Sequence, residues 1–136
     1  YCKPEKCLVS ACLTGLCTRY DGRSKPDSCC LQALERRQYI PVCPEQLGGL
    51  PTPRVAADLT EVTDGMFEKK ATVINRKGLD VTDNFVAGAE AILAIARAQN
   101  IKLAMLKSGS PSCGLTPMPG VAAALLLEHD IRIIEF

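Results

Sequence analysis

The chain has 136 residues, 47% of them apolar and only 4% aromatic, with no tryptophan and a net charge of +1. One domain with an aliphatic core is expected at this length. The balanced charge excludes a broad electrostatic grip on extended nucleic acid or an anionic membrane, and the longest apolar run, Val121 to Leu127, is far short of the roughly 20 residues a spanning helix needs.

Cys7-Leu8-Val9-Ser10 reads as a first strand, ending at Ala11-Cys12-Leu13-Thr14-Gly15. Arg19-Tyr20-Asp21-Gly22 reads as a turn. Pro26-Asp27-Ser28 carries helix-start signals, and Cys30, Leu31 and Leu34 are expected to share the buried face of that helix. Tyr39 to Val42 is a second strand, with Pro41 placing it at an edge or a strand start. Cys43-Pro44-Glu45 follows, and Gly48 to Arg54 is too rich in Gly and Pro for regular structure. Val55 to Met66 has no clear pattern. Thr72-Val73-Ile74 reads as a short extended piece, turned by Arg76-Lys77-Gly78.

The clearest helix follows, with Phe85, Ala89, Ile92 and Ala96 on one face. Thr82 is the expected N-cap and Asn100 the expected stop. Ile101 to Leu106 reads as a buried strand. After it, Lys107-Ser108-Gly109-Ser110-Pro111-Ser112-Cys113-Gly114 places a lysine, three hydroxyls and a thiol on an irregular backbone. A helix over Val121 to Leu127, with Pro119 at its start, is apolar nearly all round and expected to be buried. Ile131, Ile133 and Ile134 form the last strand. Such alternation implies an α/β fold: a small open, mostly parallel sheet flanked by helices, Rossmann-like and three-layered, in one domain over residues 1–136.

Eight cysteines permit a disulfide framework, but the chain is larger than the stapled class and opens with no basic-then-apolar signal. Reduced thiols in a cytoplasmic protein are expected instead. Cys12 follows the first strand, Cys43 the second, and Cys113 the serine-rich loop after the third. In open α/β sheets ligands bind beyond the carboxyl ends of the strands, so a parallel sheet brings these three thiols to one edge. Three thiolates suit a soft metal centre, zinc or iron–sulfur, with one metal position left open to act as a Lewis acid. The bland alternative is that small cysteines pack like alanine. Glu45 would stand beside such a centre and could move protons, or it could merely brace a loop. Cys17 is the rival fourth ligand; it would close the site and favour a non-catalytic zinc or iron–sulfur module, or a redox sensor. Cys7 and Cys30 are expected in the core, and Cys2 and Cys29 on the surface. His129, the one imidazole, sits at a helix end where it complements the dipole, which argues against a Ser–His–Asp or Cys–His hydrolase.

Leu8 to Leu13, Arg19 to Gly22, Pro41 to Glu45, Gly48 to Arg54, Gly78 to Thr82 and Ser110 to Gly114 together resemble the thiouracil desulfidase (TudS) domain family, in order and over nearly the whole chain. The resemblance implies a [4Fe-4S] cluster on Cys12, Cys43 and Cys113. It also implies non-redox desulfuration of a thiopyrimidine such as 2-thiouracil or 4-thiouracil. Glu45 would be the acid/base and Ser110 a catalytic hydrogen-bonding hydroxyl, with Ser108, Ser112, Arg19 and Asp21 as substrate-binding positions. Relatives acting on thiolated tRNA carry a further domain for which this sequence has no room, which points to a free base or nucleoside. One stretch departs from the family: Gly114 reaches Pro119-Gly120 within a few residues, either a short loop or a sequence lacking a piece of it. That leaves the pocket lid and the substrate choice open.

Overall fold

The computed structural model describes residues 3–64, 68–115 and 118–136, with residues 61–64 and 68–71 described by backbone alone. Four strands, β1 (Lys6–Ser10), β2 (Gln38–Val42), β5 (Leu103–Leu106) and β6 (Arg132–Glu135), form a sheet in the order β2-β1-β5-β6. Every pairing in it is parallel. β2 is an edge strand, which is why Pro41, opposite Val9, is tolerated there.

Successive residues of a strand point to opposite faces, and the two cores sort accordingly. Cys7 and Val9 of β1 and Leu103 and Met105 of β5 pack with Cys30 and Leu34 of helix α1 (Ser28–Leu34). Leu8, Ala104 and Leu106 face the other way, onto α3 (Thr82–Gln99) and α4 (Val121–Glu128). The result is the expected three-layer arrangement. Cys7 and Cys30 are fully buried, as their positions imply. Cys29 is exposed, and Cys2 lies outside the described residues.

Several local expectations are corrected. Thr82 is the first residue of α3, and Val81 holds the N-cap position. The Thr82 hydroxyl instead donates to Asp80 Oδ1 at 2.6 Å and accepts the Val73 N–H at 2.9 Å, which ties the helix start to the preceding strand. Asn100 does end the helix, in the left-handed conformation that suits it. Leu31 is 39% exposed, because it lies about 100° around α1 from Cys30. Pro119 precedes the cap residue Gly120, and Leu127 is 44% exposed although Ala122, Ala123 and Leu126 are buried.

The unpatterned stretch after Arg54 holds the largest departure. β3 (Ala57–Asp64) and β4 (Glu68–Asn75) pair antiparallel as a separate two-stranded sheet inserted between β2 and α3. It interrupts the strand–helix alternation. The short helix α2 (Pro44–Leu47) joins β2 to this region. It approaches α3 so closely that a Cβ on Gly88 would lie 1.9 Å from the Pro44 carbonyl oxygen. A Cβ on Gly48 would meet Asn84 O at the same distance, so glycine is required on both sides of the crossing.

Candidate active site

The carboxyl ends of β1, β2 and β5 open into one cavity of about 430 Å³. Cys12 enters it from a 3₁₀ turn that begins right after β1. Cys43 enters from the residue between β2 and α2, and Cys113 from the loop after β5. Residues far apart in sequence thus share a wall because their strands run the same way. Cys17, the rival ligand, is exposed and does not line this wall.

The serine loop is held from both sides. The Lys107 N–H donates to the buried Ser10 hydroxyl at 2.9 Å, joining the ends of β5 and β1. The N–H groups of Ala122 and Ala123, in the first turn of α4, donate to the Ser112 carbonyl at 3.0 and 3.1 Å. Their orphan donors are satisfied by the very loop that carries Cys113. A Cβ on Gly120 would lie 2.5 Å from the Ser112 carbonyl carbon, so only glycine lets the helix start this close.

Glu45 stands in the first turn of α2, two residues beyond Cys43. Its Oε1 accepts from Arg54 Nε at 3.1 Å, and its Oε2 accepts from Ser112 Oγ at 3.2 Å. Ser112 Oγ lies 3.0 Å from Ser110 Oγ, which itself accepts the N–H groups of Ser112 and Cys113 at 3.2 and 3.1 Å. The one Ser112 proton can go to Glu45 or, at 3.8 Å, to Cys113 Sγ, and in either case Ser112 accepts from Ser110. The hydroxyls therefore form a chain from Ser110 through Ser112 to the carboxylate.

The remaining sequence-derived positions divide. Ser108 and Arg19 line the cavity, with Ser108 bound through its carbonyl and hydroxyl to Lys107 Nζ. Arg19 lies over the ring of Tyr20, also a wall residue. Ser112 is on the wall but 1% exposed, so its hydroxyl meets Glu45 and Ser110 rather than open space. Asp21 is not brought to the wall: it is exposed, and its carboxylate accepts the Arg23 N–H at 3.0 Å to stiffen the turn. Of the loop after Gly114, Thr116 and Pro117 lie outside the described residues. Gly120 N–H bonds Gly114 O at 2.7 Å, and Met118 reaches the cavity.

Sequence reasoning gave no role to Arg54, whose side chain is only 4% exposed. Nor did it find the hairpin's share of the cavity wall, which comes from Ala57, Asp58 and Leu59 of β3 and Arg76 after β4. A lone arginine after Pro-Thr-Pro has no periodicity to mark it. Its role shows only once the loop folds back over α2.

Burial pushes the Cys113 thiol up to about 11, against hydrogen bonds from Ser10 and Ser112 that favour the thiolate. Burial likewise raises Cys12, and neighbouring Cys43 raises it further, while Lys107 and Arg19 oppose. A metal bound by these thiols would displace their protons. Among the described residues, no three His, Cys, Asp or Glu side chains close on a single metal ion. A cubane cluster spreads its thiolates over separate corners, so three thiols around a cavity of this size suit a multi-iron cluster better than one tetrahedral zinc.

Fold and site define a class: a doubly wound α/β domain with a three-thiol, carboxylate-bearing pocket beyond its strand ends. The sequence matches the family 2-thiouracil desulfurase over residues 7–135. It is 33% identical to the uncharacterized protein YbbK of Bacillus subtilis (strain 168), over 94% of this chain and 93% of that protein. A solved structure described as a [4Fe-4S]-dependent thiouracil desulfidase, TudS, superposes with a TM-score of 0.78 at 41% identity, covering 96% of this chain and 90% of that one. The chain belongs to the 2-thiouracil desulfurase family.

Proposed function

We propose that this protein is an iron–sulfur-dependent desulfidase that converts a thiouracil-type pyrimidine to its oxo form. The thiocarbonyl and one water give a carbonyl and hydrogen sulfide, with no net electron transfer. Cys12, Cys43 and Cys113 would hold a [4Fe-4S] cluster. Held by three thiolates, it supplies an iron with no protein ligand, a soft Lewis acid matched to a thiocarbonyl sulfur. Support comes from the family match, from the TudS structure and, above all, from one observation: the three thiols and Glu45 face the same cavity.

Glu45 accepts a proton from the water that attacks the ring carbon and returns it as sulfide leaves. The hydrogen bonds to Glu45 Oε1 and Oε2 fix the carboxylate plane while leaving it lone pairs for that water. Ser110 would meet the substrate by exchanging its bond to Ser112, the hydroxyl that in turn donates to Glu45. Ser108, Lys107 and Arg19 supply polar contacts at the cavity wall.

Anaerobic purification tests this. A brown protein with about four irons and four sulfides per chain should release sulfide from 2-thiouracil or 4-thiouracil. A brown protein inert toward every thiopyrimidine would leave a metal-binding module. A colourless one that cluster reconstitution cannot restore would refute the iron–sulfur reading.

A further inference from the structure

We propose that Arg54 is a positioning residue: it ties the Glu45 carboxylate to the Cys43 corner of the cluster, holding the one for proton transfer and lending the other a hydrogen bond and a positive charge. This rests on the desulfidase reading for its kinetic part only.

All three guanidinium nitrogens are engaged. Nε donates to Glu45 Oε1 at 3.1 Å. Nη1 donates to Thr52 Oγ1 at 2.9 Å and to Pro51 O at 3.4 Å. Nη2 donates to Thr18 O at 2.8 Å and to Cys43 Sγ at 3.8 Å. A buried cation must be paired to persist, and here its partners come from three segments, at Thr18, at Cys43 to Glu45 and at Pro51 to Thr52.

A mere loop brace would need only the Thr52, Pro51 and Thr18 contacts. The other two reach Cys43 and Glu45, the pair that turns the corner from β2 into α2. Arg54 takes Glu45 Oε1 while Ser112 takes Oε2, so the carboxylate cannot swing without breaking a charge-assisted bond. The planar fork serves Glu45 and Cys43 from two different nitrogens in a fixed geometry, which the single nitrogen of an ammonium does not reproduce. Hydrogen bonds to cluster sulfurs and nearby charge set cluster potentials, so the contact to Cys43 carries a second, independent readout.

The test uses cluster-loaded wild type, Arg54→Gln, Arg54→Lys, Glu45→Gln and the double variant Arg54→Gln/Glu45→Gln, with rates normalised to bound iron. Arg54→Gln should lose at least tenfold in kcat with KM little changed, and Arg54→Lys should recover only part of that. The double variant should be no slower than Glu45→Gln alone, because Arg54 acts through that carboxylate. The cluster midpoint potential should move negative in Arg54→Gln. Wild-type kcat in Arg54→Gln, or losses that multiply in the double variant, overturns the positioning role. An unshifted potential overturns the link to the cluster corner. If Arg54→Gln holds no iron, Arg54→Lys carries both readouts. A wild type that holds its cluster yet releases no sulfide sinks the desulfidase reading instead, and the potential shift then still decides the contact to Cys43.

Discussion

The cavity has two unlike walls. One is the rim of the parallel sheet, where Cys12, Cys43, Glu45, Ser110 and Cys113 stand on turns pinned to strand ends and helix starts. The other is the base of the antiparallel hairpin, which contributes Ala57, Asp58, Leu59 and Arg76. The rim is braced by two buried cores, whereas Val73 is the hairpin side chain that is fully buried among those described. On the proposed function, the reacting groups stand where the backbone is over-determined. Groups that shape the ligand space can stand on a less constrained element.

The comparison is broken most decisively at the thiols. Cys12→Ala, Cys43→Ala or Cys113→Ala should each abolish iron binding and turnover, read by iron analysis and visible absorption. A stable, active cluster in any one of them would remove that thiol from the rim's function. Glu45→Gln should keep the cluster while losing about 10²–10⁴ in kcat, the usual worth of a general acid/base. Unchanged turnover there would move the proton chemistry elsewhere.

Gly88→Ala sharpens the contrast from outside the cavity. Its Cβ would overlap the Pro44 carbonyl, forcing α2 off α3 and displacing Cys43 and Glu45 with it. A loss of several kcal/mol in urea unfolding, or iron binding weakened without any change to a ligand, is the expected outcome. On the opposite wall, Leu59→Ala should change KM several-fold and leave iron content and the cluster spectrum alone. If it removed iron, the division of labour between the walls would be wrong.

The smallest effect is in the core. Cys30→Ala should keep the cluster and cost about 1 kcal/mol in packing. Burial, then Asp27, pushes the Cys30 thiol up to about 11. Its folded value is raised, so the contribution is intact at neutral pH. It is lost as pH climbs from about 8.5, where the unfolded thiol ionises, through about 11. The advantage of wild type over Cys30→Ala in unfolding free energy should therefore fall on the alkaline limb, by an amount on the order of 2 kcal/mol, and reverse in sign. A gap that stays constant with pH would show that Cys30 ionises as freely in the fold as in the unfolded chain.

Hydrophobic period determined much of this molecule from the sequence alone. The apolar runs at Cys7–Ser10, Tyr39–Val42 and Ile101–Leu106, with the amphipathic face of α3, specify a parallel sheet between helices. A parallel sheet carries Cys12, Cys43 and Cys113 to one edge whatever lies between them. The antiparallel hairpin was legible only at Thr72–Ile74, because it pairs outside the main sheet and leaves no long apolar run in the sequence. Asp21 and Ser112 were legible as polar residues, but not as a turn brace and a buried hydroxyl bonded to Glu45. Arg54 closed one of the motifs that carry the resemblance, but nothing in the sequence gave it a role. Which atoms a long side chain or a hydroxyl meets depends on loops folding over one another, and those non-local approaches leave no local pattern. Only the assembled tertiary structure decided that Arg54 joins Glu45 to Cys43, and that a hydroxyl chain runs from Ser110 to the same carboxylate.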